Sequence, residues 1–452
     1  MKKFLATILA LVMVLSLVAC GGDNGGASES KEAAENTPVA AKGVEAVAFD
    51  GDKTGLNTDI KIGVVLIGDE TEGYTAAHMN GLKEAMTTLG IDPAGPNVMW
   101  AYTIPEQEVC YDKCKEFANA GCSIIFTNSY GHQSYAQQAA SEFPNVQFVS
   151  MTGDTAKTAG LNNFANAFTD IYQARYVSGV VAGMKIAELD KEGKIEAKNK
   201  TEDGKVKIGY VGAFPYAEVV SGYTAFYLGI KSVYENAWME VQYTGSWFDL
   251  SKENEAAKQL ISDGCIIIGQ HADSTGAPQA CQEALKSGTT VYSIGYNIDM
   301  LATAPDAALT SATNNWGVYY TYAIAQAMRG QKVATNWVGG FDIGAVAITQ
   351  LGSACATGTA EKVAEVEKAI HDGTLQVFDT SKFTISTKCT DGSYRTDDNG
   401  KVLVACATDT DSNFANDTDN AIIDGAYQES YTQSAPSFVL RIDGIKELNA
   451  NS

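Results

Sequence analysis

The pentapeptide KIGVV at 61–65 returns as KIGYV at 207–211, and the chain after each copy runs through the same landmarks in the same order. GLK at 81–83 answers GIK at 229–231, AGCSIIF at 120–126 answers DGCIIIG at 263–269, and FVSMTGD at 148–154 answers VYSIGYN at 291–297. Four ordered landmarks at nearly constant spacing make a duplicated unit. Within each unit a short β-rich apolar run alternates with a helical pattern; YTAAHMNGLKEAMTTLG repeats apolar and small residues at three- and four-residue steps and ends on Gly90, where a helix C-cap belongs. Strands alternating with helices of this length imply right-handed βαβ units on a parallel sheet. The repeat therefore predicts an α/β protein of two doubly wound lobes, one starting near Ile60 and the other near Lys207.

Lobes of this kind bind ligands beyond the carboxyl ends of their strands. The segments to examine are 67–78, 127–132, 151–155, 212–218, 245–250, 270–275, 295–299 and 313–317. They carry Tyr74 and His78, Asn128 and Tyr130, Phe214, Trp247 and Phe248, Asp273, Asn297 and Asp299, and Asn315 and Trp316. Flat aromatic faces can grip a flat ring, at about 1–3 kcal/mol per stacked base. Amides and carboxylates supply the donors and acceptors that tell ring edges apart. Each residue also has a plain structural use: a Trp at a strand end packs into a core as readily as it meets a ligand, and Asp249 and Ser251 suit the start of the helix KENEAAKQLIS. Convergence of the set on one face of both lobes favours binding. No nucleophile elbow, phosphate loop, dinucleotide fingerprint or HExxH pair occurs, and no two of the four histidines stand at metal-ligand spacing. Enzymatic function, a cofactor and a metal are not expected.

The first nineteen residues, MKKFLATILALVMVLSLVA, place two lysines before an uncharged apolar run, the layout of a secretory signal. The run is short for a bilayer span of about twenty residues. Because LVAC ends in cysteine, the segment is similar to a bacterial lipoprotein signal that leaves Cys20 lipidated as the first mature residue. Residues 20–58, rich in Gly, Ser, Ala and Glu, read as a flexible tether. Removing Lys2 and Lys3 with the signal leaves 30 basic against 54 acidic residues, a balance that argues against nucleic-acid binding. Cys389 and Cys406 flank a DDNG turn between strand-like runs, a fitting hairpin for a disulfide in an exported chain. The other cysteines are expected as buried or free thiols. DTDSNFANDTDN reads as a solvated acidic loop and SAPSFVLRIDGI as a final strand at a sheet edge.

Eight stretches between Lys61 and Phe378, among them KIGVVLIGDETEGYTAAHMNGLKEA, IIFTNSYG, KIGYVGAFPYAEVVSGYTAFYLGIKSV, GSWFDLSKENEAAKQLISDGCIIIGQHADSTGAPQA and YSIGYNIDM, resemble in order the basic membrane protein family of bacterial substrate-binding lipoproteins. The resemblance implies a type I periplasmic-binding-protein fold with a three-stranded hinge. On that basis residues 59–170 plus 301–333 form lobe 1, residues 171–300 plus 334–380 form lobe 2, and residues 381–452 form an extension with a hairpin packed on lobe 2. It also implies a monomeric receptor, lipid-anchored on the extracytoplasmic face, that delivers a purine base or nucleoside to ABC permease subunits. In nucleoside receptors of the family the base lies between two aromatics, at positions that match Tyr74 and either Trp247 or Phe248. Here GYNID, with Asn297, stands where the receptors have GVDxD, EGYTAAH stands where they have DxSFN, and no lysine occurs near TNNW for the ribose. The pattern is closer to that expected of members that take a free purine base. A sugar receptor or ligand sensor of the same fold, or a nucleoside hydrolase, are the alternatives.

Overall fold

Each apolar pentamer is the founding strand of a parallel sheet, because its residues are buried on both faces and need helices above and below. A computed structural model describes residues 42–384 and 422–450. The first unit runs β1 (Lys61–Val65), α1 (Gly73–Thr88), β2 (Val98–Ala101), α2 (Glu108–Asn119), β3 (Cys122–Thr127), α3 (Gln133–Glu142), β4 (Gln147–Met151), α4 (Ala156–Ala159) and β5 (Phe164–Thr169). The second runs α5 (Ile171–Lys191), β6 (Val206–Gly212), α6 (Ala217–Lys231), β7 (Ala237–Tyr243), α7 (Leu250–Ser262), β8 (Ile267–Gln270), α8 (Gly276–Lys286), β9 (Tyr292–Tyr296) and β10 (Ala308–Asn314). After these come α9 (Trp316–Met328), β11 (Asn336–Gly339), β12 (Val346–Ile348), α10 (Thr359–His371), a two-strand ribbon of β13 (Ile422–Ile423) and β14 (Ala426–Tyr427), and β15 (Ile445–Glu447).

The sheets have the orders β11-β5-β4-β3-β1-β2 and β12-β10-β9-β8-β6-β7-β15, so the central strand order repeats as the sequence does. Antiparallel β12 is the one reversed strand of these two sheets. Helices α5 and α6 cross at two glycines: a Cβ at Gly179 would lie 2.1 Å from the Phe226 carbonyl, and one at Gly229 would lie 2.0 Å from that of Tyr176. Any side chain there would force the second lobe's two apolar helices apart.

The chain passes between lobes three times, at Asp170, at Asn315 and between Gly340 and Ala345. These crossings correct the boundaries expected from sequence. Helix α9 packs in the core of lobe 1, but the strand before it does not go with it. All but one of the seven residues of β10 are buried, and it pairs with β9 and β12 in the second sheet; conversely β11 lies in the first. The crossovers fall after each strand because a strand buried on both faces cannot leave its sheet without losing its ladder.

The last part of the expected tether, residues 42–58, packs against the body. Val44 is buried, Glu45 donates to the Asn336 carbonyl at 3.0 Å, and Val338 donates back to Glu45 at 3.1 Å, which covers the free edge of β11. The stretch SAPSFVLRIDGI is irregular up to its last residue; Phe438, Leu440 and Ile442 point into the lobe 2 core, and the edge strand β15, parallel to β7, begins only at Ile445. Cys110, Cys114, Cys122, Cys265, Cys281 and Cys355 are free thiols. Cys20, Cys389, Cys406 and the acidic loop lie outside the described residues. Among the described residues no helix is long and apolar enough to cross a membrane.

Candidate functional site

The loops after the parallel strands of both lobes meet around one cavity, lined by Ile67, Glu72, Tyr74, Ser129, Tyr130 and Thr152 from lobe 1 and by Glu218, Trp247, Asp273 and Tyr296 from lobe 2. Its space is about 60 Å³, and it shares Tyr130, Thr152, Glu218 and Trp247 with a larger chamber of about 420 Å³. Together they fall within the roughly 300–1,000 Å³ of small-molecule sites. The lobes touch at the cleft: a Cβ at Gly73 would stand 3.1 Å from the Asp273 carbonyl and 3.5 Å from Ile298.

Lobe 1 presents Tyr74 at the start of α1. Its hydroxyl donates to the Asn128 carbonyl, and its edge meets His78 at 4.5 Å. Behind it, His78 stacks on Trp316 at 4.4 Å and shares a 2.7 Å hydrogen bond with the Tyr320 hydroxyl. Complete burial lowers the pKa of His78 to about 3, so the ring is neutral and belongs to the wall behind Tyr74. The Asn128 side chain is engaged too: its Oδ1 accepts from the Ile67 amide at 2.8 Å and its Nδ2 donates to Thr75 at 3.3 Å, fixing the loop after β1. Tyr130 is exposed at the rim and donates to Asp154 at 2.8 Å.

Lobe 2 presents Trp247, half-buried between Phe214 at 5.5 Å, Tyr216 at 6.1 Å and His271 at 6.4 Å. Its neighbour Phe248 is 42 % exposed on a recess shared with Phe214, which adjoins the cavity at Ile67, Glu72, Ser129 and Trp247. Asp249 then caps α7 by accepting from the Lys252 amide at 3.0 Å, and Ser251 is already the second helical residue. Asp273 is held from three sides. Its amide donates to the Trp247 carbonyl at 2.8 Å, its carboxylate accepts from Asn297 Nδ2 at 2.7 Å, and buried Glu253 accepts from the next amide, Ser274, at 3.0 Å. Burial, with the added repulsion of Glu72, Glu253 and Glu218, raises the pKa of Asp273 far above the ordinary carboxyl value.

Of the twelve residues singled out from sequence, the structure thus brings Tyr74, Tyr130, Trp247 and Asp273 to the cavity, with Phe214 and Phe248 flanking it. His78, Asn128 and Trp316 stand behind lobe 1, and Asn297 braces Asp273. Asp299 and Asn315 do not line the cavity. Asp299 caps the Leu301 amide at 2.7 Å, and Asn315 donates to the Gly344 carbonyl at 2.9 Å in the hinge.

Sequence reasoning passed over Glu72, Glu218, Tyr296 and Arg175. Glu218 shares a 3.2 Å hydrogen bond with His271 Nε2, and burial raises its pKa to about 7 against the opposing pull of Arg175. The Arg175 guanidinium lies 3.8 Å over the Tyr296 ring and donates to the Tyr210 hydroxyl at 3.0 Å and to the Gln270 carbonyl at 2.5 Å. A signal for the two glutamates was present: Glu72 and Glu218 each stand eleven residues after the founding lysine of their repeat. The cavity therefore offers aromatic faces from both lobes and three carboxyls as acceptors, or as donors when protonated. Among the described residues no group of three or more His, Cys, Asp or Glu is arranged to hold a metal ion.

Residues 62–381 match the family model described as ABC transporter substrate-binding protein PnrA-like. A purine-binding protein of Brucella abortus is 35% identical over 58% of this chain and 67% of its own. A putative ABC transporter glucose-binding protein of Haloferax volcanii is 29% identical over 60% and 62%, and Basic membrane protein A of Borreliella burgdorferi is 28% identical over 44% and 53%. The chain thus spans under two thirds of the length of the last two. Solute-binding proteins of ABC transporter systems from Conexibacter woesei and Aeropyrum pernix share the fold, with TM-scores of 0.55 and 0.58 at 20% and 16% identity; they cover 70% and 74% of this chain and 98% and 95% of their own. Both have the type I periplasmic-binding fold.

Proposed function

The chain belongs to the PnrA-like ABC transporter substrate-binding family, whose members are solute-binding proteins and not enzymes, and from that premise we propose that its interlobe cleft captures a purine base or nucleoside for import. The observation that carries this reading is the pairing of Tyr74 and Trp247, one ring from each lobe, on a cavity that also holds buried Asp273. Two rings can cover the faces of a flat heterocycle while the carboxyl takes its ring N–H or amino groups. The 35% identity to a purine-binding protein supports the same choice. Capture by hinge closure and handover to permease subunits complete the role, with no chemistry on the ligand. Cys20, once lipidated, would hold the protein on the extracytoplasmic face of the membrane.

A sugar is the second reading, favoured by the similarity to the glucose-binding protein and by carboxyls that suit hydroxyl groups as well. Calorimetric titration with adenine, guanine, hypoxanthine, their ribonucleosides and glucose separates the two. Heat and thermal stabilisation with purines and none with glucose is the expected result; binding of glucose alone overturns the purine assignment.

A further inference from the structure

The family match ends at residue 381, yet the chain beyond it returns to the cleft. Residues 426–450 cross from one lobe to the other. On the lobe 1 side the Gly43 amide donates to the Tyr431 carbonyl at 2.9 Å beside the covered edge of β11, and the Ser434 amide reaches Asn336 Oδ1 at 3.4 Å. On the lobe 2 side Phe438 is fully buried and stacks on Phe378 at 4.3 Å, the Tyr427 hydroxyl donates to the Ser437 carbonyl at 3.0 Å, and β15 extends the sheet beside β7. Arg441 is clamped to Glu447 at 3.1 and 3.2 Å, and Glu447 also accepts from Tyr223 and Tyr243. Between these anchors Ala435, Pro436, Val439 and Arg441 form one wall of the larger chamber, facing Tyr130 and Asp154 of lobe 1 and Tyr216 and Trp247 of lobe 2.

We propose that this C-terminal strap is a specificity-determining wall of the ligand site, against which the ribosyl group of a purine nucleoside packs. The proposal rests on the purine reading. The space of about 60 Å³ lies well below the roughly 300 Å³ at which small-molecule sites begin, so a ligand gripped between Tyr74 and Trp247 extends beyond it. Two spaces adjoin it, the recess beside Phe248 and the chamber bounded by Thr152, Asp154 and Glu218, whose oxygens suit sugar hydroxyls and which the strap closes with Ala435, Pro436 and Val439.

Val439 is half-buried on the chamber wall, where a larger side chain displaces ligand volume without entering the core. In the full chain, Val439→Trp is expected to weaken inosine, adenosine and guanosine at least tenfold while changing hypoxanthine, adenine and guanine less than threefold, with an unchanged melting temperature. Val439→Ala, which removes part of the wall, should weaken the nucleosides a few-fold and leave the bases unchanged. In the unmodified protein, inosine and not hypoxanthine should slow hydrogen exchange across residues 434–441. Equal affinity of Val439→Trp and the parent chain for nucleosides, or a parent chain that takes bases and refuses nucleosides, overturns the strap's role and leaves the purine reading intact. A parent chain that binds no purine of either class overturns both.

Discussion

Equivalent positions of the two lobes carry different burdens. The amide after β3, Asn128, donates to the Val65 carbonyl, and the amide after β8, His271, donates to Val211. Asn128 spends its side chain on its own lobe, while His271 meets the cleft carboxyl Glu218. In the next loops Thr152 and Asn297 both hold left-handed φ values, 61° and 62°. For β-branched Thr152 that conformation is strained, and Thr152 lines the cavity; Asn297 tolerates it better and braces Asp273. One topology thus yields a lobe that supplies a ring on a hydrogen-bonded frame and a lobe that concentrates buried carboxyls beside the Arg175 guanidinium. Duplication fixes where a loop emerges and leaves its side chains free to specialise.

Substitutions can break this contrast. The largest expected change is Trp316→Ala in the lobe 1 core, about 3–5 kcal/mol of stability in denaturant titration, with ligand affinity altered less than threefold. Next, Asp273→Ala removes the braced acceptor of lobe 2 and is expected to cost about 2–3 kcal/mol of binding, roughly 30- to 150-fold in Kd by calorimetry, with Asp273→Asn in between.

Smaller is the pH effect of Glu218. Its carboxyl stays protonated in the folded chain up to about pH 7 and ionises near the ordinary 4.5 of a glutamate when unfolded, so its contribution to stability is present below about pH 4.5 and is lost as pH rises through about 7. Melting curves across that window should therefore fall less steeply for Glu218→Gln than for the parent chain, by about 1–2 kcal/mol. Equal slopes would show that Glu218 ionises normally.

The sheets were legible because period and apolar runs are local, and KIGVV and KIGYV fold as their pattern demands. The crossovers were not. Whether β10 stays with its sheet depends on burial of both its faces, which ALTSATN does not advertise. In the site, aromatic residues stood out by type, but Trp316 and Trp247 look alike in sequence and differ by 1 % exposure in a core against half-burial on a cavity. The glutamates Glu72 and Glu218 were readable only by comparing offsets between repeats, since a carboxylate at a helix N-terminus has an ordinary use. The strap was unreadable because its place is set by contacts with Gly43, Asn336 and Phe378, all distant in sequence.

The division of labour between lobes is tested most directly by a double-mutant cycle on purine affinity, with Tyr74→Ala from lobe 1 and Trp247→Ala from lobe 2. If both rings cover one bound heterocycle, each single change weakens binding by about 1–3 kcal/mol and the pair departs from additivity by about 0.5 kcal/mol or more. Additive losses, or affinity untouched by either change while the melting temperature falls, contradict a shared grip and make these rings packing alone.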